Sequence, residues 1–285
     1  MTKLPYRRAL ASGALVVSVL AVSLSATHSW GGYHWAWTGT QFTLKVGDNV
    51  DAKWDAHLDE AISNNVYEDW NESAILDLEK VAGGTRPRQC KPTSGRIEVC
   101  NDRYGNNGWL GIAQIWISGG THITQGVAKM NDSYFNTPTY NTPAWRRLVM
   151  CQEVAHDFGL DHQDETFDNA NLGSCMDYTN DPDGGPGGAA SNDPSNEYPN
   201  AHDFVQLESI YYSHIDSFTT VGAAIPHGTP AAMNQIGFDG PNQWGQLMRT
   251  SKNGRVHIYE LDFGRGNKVI THVFWADPER DKHEH

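Results

Sequence analysis

The sequence has few basic residues and few cysteines, and it contains no long apolar run after its first 30 residues. Its 285 residues include 21 lysines and arginines against 34 aspartates and glutamates, a formal net charge of −13 at pH 7. Nucleic-acid binding needs a basic surface, so this charge argues against that class of partner. The absence of an internal apolar run argues against a channel. What remains is an acidic globular protein, with 39% hydrophobic residues to form a core.

Only four cysteines are present, and none lies in a Cys-x-x-Cys motif, so the sequence does not favour a cysteine-ligated zinc site. Four cysteines permit three disulfide pairings, and the sequence alone does not choose among them. We favour the two pairs that are close in sequence, Cys90 with Cys100 and Cys151 with Cys175.

The first 29 residues have the pattern of a secretory signal peptide. Lys3, Arg7 and Arg8 precede an uncharged apolar stretch at 9–24, and small residues follow it. We therefore predict export, cleavage and an extracellular protein with no stable membrane insertion. An uncleaved anchor is the alternative, although a membrane span normally needs ~20 apolar residues. Export also favours disulfide formation.

Apolar periodicity predicts an α+β fold. Strands are predicted at 42–46, 97–99, 109–117 and 123–130, and two or three more at 244–275. The strand at 123–130 is a candidate for pairing with an extended substrate, with a position at the sheet edge as one option.

Three helices are predicted from caps and apolar stripes. Asp51 is a candidate cap for a helix that continues to Trp70, because apolar residues recur at intervals of four. Thr142-Pro143 starts a second helix that ends near Gly159, and Asn200 caps a third.

The most informative segment runs from Gln152 to His162. Gln152 and His156 are four residues apart, so they share one face of the predicted helix, and Glu153 lies one step round. Gly159 can adopt the backbone conformation that ends the helix, which lets His162 fold back to the same point. Three neutral donors and a carboxylate then converge, as a catalytic zinc with an open fourth position requires.

This segment resembles the signature of the metzincin zinc endopeptidases, H-E-x-x-H-x-x-G-x-x-H. Glu153, His156, Gly159 and His162 match in register, and Gln152 stands in place of the first histidine.

A second segment, Ser174-Cys175-Met176-Asp177-Tyr178, is similar to the Met-turn that underlies the metal in that clan. Its S-x-M-x-Y form is closest to the astacin and serralysin type. The short spacing between the two motifs looks more like the matrixins.

The resemblance implies a metzincin-like zincin domain over residues 30–218, with a twisted mixed sheet, a long active-site helix and a C-terminal helix. Residues 219–285 would form a small β-rich extension of unknown role. The resemblance also implies a protein or peptide substrate, and the lack of coiled-coil heptads and of a membrane-binding helix in the sequence leads us to expect a monomer. One catalytic zinc would be held by Gln152, His156 and His162, with Glu153 as general base. Tyr178 would contact the zinc or the developing oxyanion, and Gly159 and Met176 would have structural roles.

Glutamine at the first ligand position leaves three hypotheses open. An amide oxygen is neutral, as imidazole is, but it is a harder and weaker donor for zinc. Gln152 ligates in an active enzyme, or the site binds metal with little turnover, or Asp164, Glu165 or His202 completes the site. The corresponding functions are a secreted zinc endopeptidase and, as the alternative, a non-catalytic or weakly active metal-binding or adhesion module. Calcium is a possible second ion, but the acidic residues around His162 match no known calcium loop.

Overall fold

The computed structural model describes residues 32–64, 66–186, 192–234, 240–251 and 254–277. The predicted signal peptide, residues 1–29, lies outside this range. The described residues form a mixed α+β fold built on one large sheet, as the sequence predicts. None of their helices has the length and apolar character needed to cross a bilayer.

The strands are β1 (His34–Trp35), β2 (Phe42–Asn49), β3 (Leu76–Ala82), β4 (Ile97–Asp102), β5 (Trp109–Ser118), β6 (His122–Asn131), β7 (Gln246–Thr250), β8 (Val256–Gly264) and β9 (Asn267–Trp275). The helices are α1 (Asp55–Ile62), α2 (Asp132–Phe135), α3 (Pro143–His156) and α4 (Ala201–Tyr212). Short 3-10 helices span Trp70–Glu72, Ala231–Asn234 and Pro241–Gln243.

The strand order in the sheet is β3-β2-β4-β6-β5-β9-β8-β7, and β1 also pairs with β6. The first four strands are parallel to one another, and antiparallel pairing begins at β5. The expected edge position of the strand at 123–130 is wrong, because β6 lies between β4 and β5. It therefore has no free edge for a substrate.

The three C-terminal strands belong to the same sheet as the rest of the chain. The strands expected at 244–275 are present as β7, β8 and β9, and β9 pairs antiparallel with β5 along nearly its whole length. The tight turn at 264–266, with positive φ at all three residues, joins β8 to β9. The C-terminal segment thus occupies the side of β5 that faces away from β6.

Helices α3 and α4 begin where their caps predict. Thr142 accepts a hydrogen bond from the Trp145 backbone N–H, and Asn200 forms a reciprocal capping box with Asp203. Helix α3 packs against β5 and β6, and its last nine residues are all buried. This burial fixes the end of α3 against the middle of the sheet.

The first helix is shorter than predicted. It ends at Ile62, and Ser63 is already extended. The Asn64 side chain accepts a hydrogen bond from the Val66 backbone, and the Asn64 backbone donates to the Asp69 carboxylate. Asparagine competes with the helix in this way, so the apolar spacing that continues to Trp70 does not continue the helix.

The disulfides confirm the predicted pairing. Cys90 is bonded to Cys100, and Cys151 to Cys175. The second bond ties α3 to the turn at 174–178. Two disulfides are consistent with an oxidising compartment.

Candidate metal centre

Two histidines converge at the end of α3. His156 occupies the last position of the helix, and His162 returns from the loop that follows. Their Nε2 atoms are 3.0 Å apart, and both side chains are almost fully buried. Two zinc–nitrogen bonds of about 2.0–2.1 Å with a tetrahedral angle would separate the nitrogens by roughly 3.3 Å. The observed separation is therefore close to that of two ligands of one ion.

Hydrogen bonds fix the orientation of both rings. His156 Nδ1 lies 2.8 Å from the Leu160 carbonyl oxygen, which can only accept, so Nδ1 carries the hydrogen. His162 Nδ1 lies 3.1 Å from carboxylate oxygens of Asp161 and Glu165, so it also donates. Both Nε2 lone pairs then point at the same place, and they repel each other unless a proton or a cation lies between them. Metal-binding histidines in proteins are generally held by such carbonyl and carboxylate partners.

A third histidine, His272, comes from β9. It forms a cluster with His156 and His162 in which one ligand atom from each lies within 4.8 Å of the others. The His272 ring stacks on His156 with 4.0 Å between centroids, and its Nδ1 is buried without a hydrogen-bond partner. Burial lowers the pKa of His272 to about 3, so the ring is neutral and can act as a ligand.

Gln152 lies one turn before His156 on the same face of α3. Its Nε2 donates a 2.9 Å hydrogen bond to the Cys175 carbonyl oxygen, in the turn joined to α3 by the disulfide. Its Oε1 is buried and has no hydrogen-bond partner. A buried amide oxygen without a donor is unfavourable, and a cation would satisfy it.

Glu153 packs against β5 at Gly111. A Cβ atom at Gly111 would come within 2.4 Å of Glu153 Oε1, so only glycine leaves room for the carboxyl group. Glu153 Oε2 has no hydrogen-bond partner, and burial raises the pKa of this carboxyl well above its ordinary value. A divalent cation nearby would favour the ionised form and lower this pKa again. Sequence reasoning did not single out Gly111, because nothing in its own strand marks it.

The turn at 174–178 brings Tyr178 to the same cluster. The Tyr178 hydroxyl lies 2.9 Å from His162 Nε2, and the side chain is buried. The Met176 side chain is buried, and its carbonyl oxygen accepts a hydrogen bond from the Gln163 backbone. This bond holds the turn against the loop that carries His162.

Gly159 makes the tight turn between the two histidines. Its φ is +104°, and a Cβ atom there would lie 2.1 Å from the Tyr33 carbonyl oxygen. Both the backbone conformation and the close approach of the chain at Tyr33 therefore require glycine.

Arg249, on β7, binds the far side of the His162 loop. Its guanidinium lies 2.7 Å from a carboxylate oxygen of Asp161 and 2.8 Å from one of Glu165. Burial would raise the pKa of Asp161, but the hydrogen bond from His162 and the nearby positive charges outweigh it and hold that pKa well below its ordinary value. The guanidinium of Arg249 thus bridges these two carboxylates and offsets part of their negative charge.

The other candidate ligands lie elsewhere. Glu165 is on the Nδ1 side of His162, away from the point where the Nε2 atoms meet. The Asp164 carboxylate accepts from the Thr166 backbone, and His202 lies beside Gln206 on α4. Of the described residues outside α3 and its loop, His272 is the histidine that joins the cluster. Sequence reasoning missed it because β9 has no spacing relationship to the motif.

Access to the cluster is restricted. A cavity of about 270 Å³ is lined by His156 and His272 together with apolar residues that include Leu160, Ile258 and Ile270. Pockets for drug-sized ligands are usually about 300–1,000 Å³, so this one would hold a side chain rather than a polypeptide.

Comparisons with protein-family models, with curated proteins and with solved structures give no match for this chain. The geometry of the site therefore carries the functional assignment.

Proposed function

We propose that this protein is a secreted zinc-dependent endopeptidase whose site is covered by its own C-terminal strands in the described conformation. The convergence of the His156 and His162 Nε2 atoms at the end of α3, the helix that also carries the buried and unpartnered Oε2 of Glu153, is the observation that carries the proposal. A purely structural zinc has no use for such a carboxyl group. The metzincin-like motif around Gly159 supports the same reading.

The donor set fits zinc. Imidazole nitrogen is a preferred zinc ligand, and the Gln152 amide oxygen is a weaker neutral one. Gln152 Oε1 is buried without a hydrogen-bond partner, and the Nε2 atoms of His156 and His162 lie 3.0 Å apart, with the Tyr178 hydroxyl 2.9 Å from that of His162. We assign Gln152 and these two histidines as the ligands of the working site, and His272 as the group that occupies the remaining position.

When bound, a zinc ion supplies a Lewis acid and acidifies water toward a pKa of about 7. The chain then supplies the proton transfers. Glu153 Oε2 accepts the proton of the attacking water and passes it to the amine nitrogen as the C–N bond breaks. The Tyr178 hydroxyl donates a hydrogen bond to the carbonyl oxygen as negative charge develops there.

The position of β9 makes this site latent. Extended substrates bind proteases by adding a strand to a sheet edge, and here β9 already pairs with β5 from Ile117↔Lys268 to Trp109↔Trp275. If zinc is held by Gln152, His156 and His162, then His272 would be the fourth ligand and would exclude the water that hydrolysis needs. A protein substrate would therefore need β9 to move.

The test compares three zinc-loaded proteins on an unfolded protein substrate: the wild type, His272→Ala and the double variant His272→Ala/Glu153→Gln. All three are checked for equal zinc content at the His156 site. We expect His272→Ala to cleave faster than the wild type, because a coordination position is freed. The double variant His272→Ala/Glu153→Gln should cleave the substrate about 10²–10⁴-fold more slowly than His272→Ala, because a general base usually contributes a factor of this size.

A non-catalytic metal-binding module is the second candidate, favoured by the burial of the site under β9. If His272→Ala holds zinc but cleaves nothing, that module replaces the endopeptidase as the assignment. Cleavage that survives Glu153→Gln unchanged would point to a contaminating protease.

A further inference from the structure

A second histidine cluster lies apart from the His156 site. His34 on β1 and His122 on β6 are direct cross-strand partners, and His214 follows α4. The three ring centroids are 5.2, 5.2 and 5.4 Å apart, and the rings are steeply inclined to one another rather than stacked. One ligand atom from each lies within 4.8 Å of the others.

A buried carboxylate completes the cluster. Asp216 lies 3.7, 3.2 and 3.3 Å from the Nε2 atoms of His34, His122 and His214, and its side chain is 4% exposed. Its backbone N–H donates to the Trp37 carbonyl oxygen, and its Oδ2 accepts from the Trp37 N–H. The carboxylate is therefore held in place by the segment that follows β1.

The hydrogen bonding of this cluster is incomplete. His34 is 2% exposed and places Nδ1 3.2 Å from the Gly32 carbonyl oxygen, which orients Nε2 toward Asp216. Yet the Nε2 atoms of His34 and His122 are both buried without a hydrogen-bond partner. Imidazole nitrogens that face a carboxylate and make no hydrogen bond to it are the arrangement expected around a cation.

We propose that His34, His122, His214 and Asp216 form a second, structural zinc site. Three imidazole nitrogens and one carboxylate oxygen are a suitable donor set for tetrahedral zinc, and four protein ligands leave no position for catalytic water. The ligands come from three segments that are far apart in sequence, so the ion would cross-link the N-terminal strand, the β5–β6 hairpin and the chain after α4.

This site lies behind the turn that positions His162. The chain at Tyr33 and His34 packs against Gly159, and the Trp35 indole N–H donates to the Asp157 carbonyl oxygen at 2.9 Å. An ion that fixes His34 therefore also fixes the surface on which the end of α3 rests.

The test measures zinc per chain by mass spectrometry after dialysis, together with the melting temperature. The wild type should retain two ions, one at each site. His214→Ala should lose one of them and melt at a lower temperature, because an ion that binds the folded state stabilises it. His214 is half exposed, so its removal should not prevent folding. His227→Ala, at another exposed histidine, is the matched control and should keep both ions.

His156→Ala/His162→Ala separates this site from the proposed active site. It should lose the other zinc ion and keep the one removed by His214→Ala. If either His214→Ala or Asp216→Asn binds as much zinc as the wild type, the four residues are only a polar cluster and the proposal is wrong. Neither outcome depends on whether the protein hydrolyses peptides.

Discussion

At the scale of single residues, the proposed zinc site depends most on Gln152. Its amide nitrogen donates a hydrogen bond to the Cys175 carbonyl oxygen. The unpartnered Oε1 is therefore the atom of this side chain that can bind a cation. Gln152→Leu removes that oxygen at nearly constant volume, and we expect zinc affinity at the His156 site to fall roughly tenfold or more. Gln152→His supplies a stronger donor and should bind zinc more tightly than the wild type. Competition with a chelator gives both dissociation constants.

Both Gln152 variants are made in the His214→Ala background, so that zinc at the second cluster does not contribute. Equal affinity for Gln152→Leu and the His214→Ala reference would show that Gln152 is not a ligand.

Local spacing was enough to find some of these residues and not others. Gln152, Glu153, His156 and His162 lie within one helix and its terminal loop, where helical periodicity fixes their relative positions. His272 and Gly111 reach the site through the pairing of β9 with β5, and strand pairing between distant segments leaves no signature in the sequence of either strand. A single buried histidine in an apolar strand is indistinguishable from a core residue by pattern alone.

At the scale of secondary-structure elements, the cap of α4 contains a buried carboxylate. Asp203 accepts hydrogen bonds from the Ser174 hydroxyl at 2.6 Å and the Asn200 backbone at 2.8 Å. Burial raises the pKa of Asp203 to about 6, against the smaller lowering effect of these two bonds. Between its unfolded pKa near 3.9 and this value, the folded state binds more protons than the unfolded state.

The contribution of Asp203 to stability is therefore largest at low pH and is lost as the pH rises through about 6. Asp203→Asn keeps an acceptor oxygen but cannot ionise. Relative to the wild type, the variant should gain about 2 kcal/mol of unfolding free energy between pH 4.5 and pH 7.5. Urea unfolding at both pH values measures this difference.

Glu208→Gln removes the same charge from the same helix at a less buried position, and it is the control for the loss of one carboxylate. A constant difference between Asp203→Asn and the wild type at both pH values would mean that Asp203 is ionised throughout.

Element boundaries followed the sequence wherever a side-chain cap was present. Thr142 and Asn200 cap α3 and α4 as predicted. No capping residue in the sequence marks the end of α1, so the apolar spacing predicts a helix that is longer than the one observed. Strand β3 was missed, although Leu76 and Leu78 alternate with acidic residues and are buried. The position of β6 inside the sheet could not be read from its own residues, because strand order depends on partners elsewhere in the chain.

At the scale of the whole molecule, the C-terminal strands are both part of the sheet and the cover of the proposed site. Val269, Ile270, Val273 and Phe274 of β9 are buried, so this strand contributes to the core. Beyond its pairing with β5, the cover is linked to the site through Arg249 and His272. Among the described strands, β7, β8 and β9 join the rest of the sheet through β5, so they can separate from it as one unit, and that opening would expose the buried side chains of β9.

Zinc should couple this opening to the proposed site. If His272 occupies a coordination position, the ion ties β9 to α3, and opening of β9 must first break that bond. We therefore expect zinc to slow amide hydrogen exchange across 267–275 in the wild type but not in His272→Ala. Any zinc at the His34 cluster would be bound by both proteins, so its effect cancels in the comparison. If zinc slows exchange of β9 equally in both, His272 is not a ligand, and β9 covers the site through strand pairing alone.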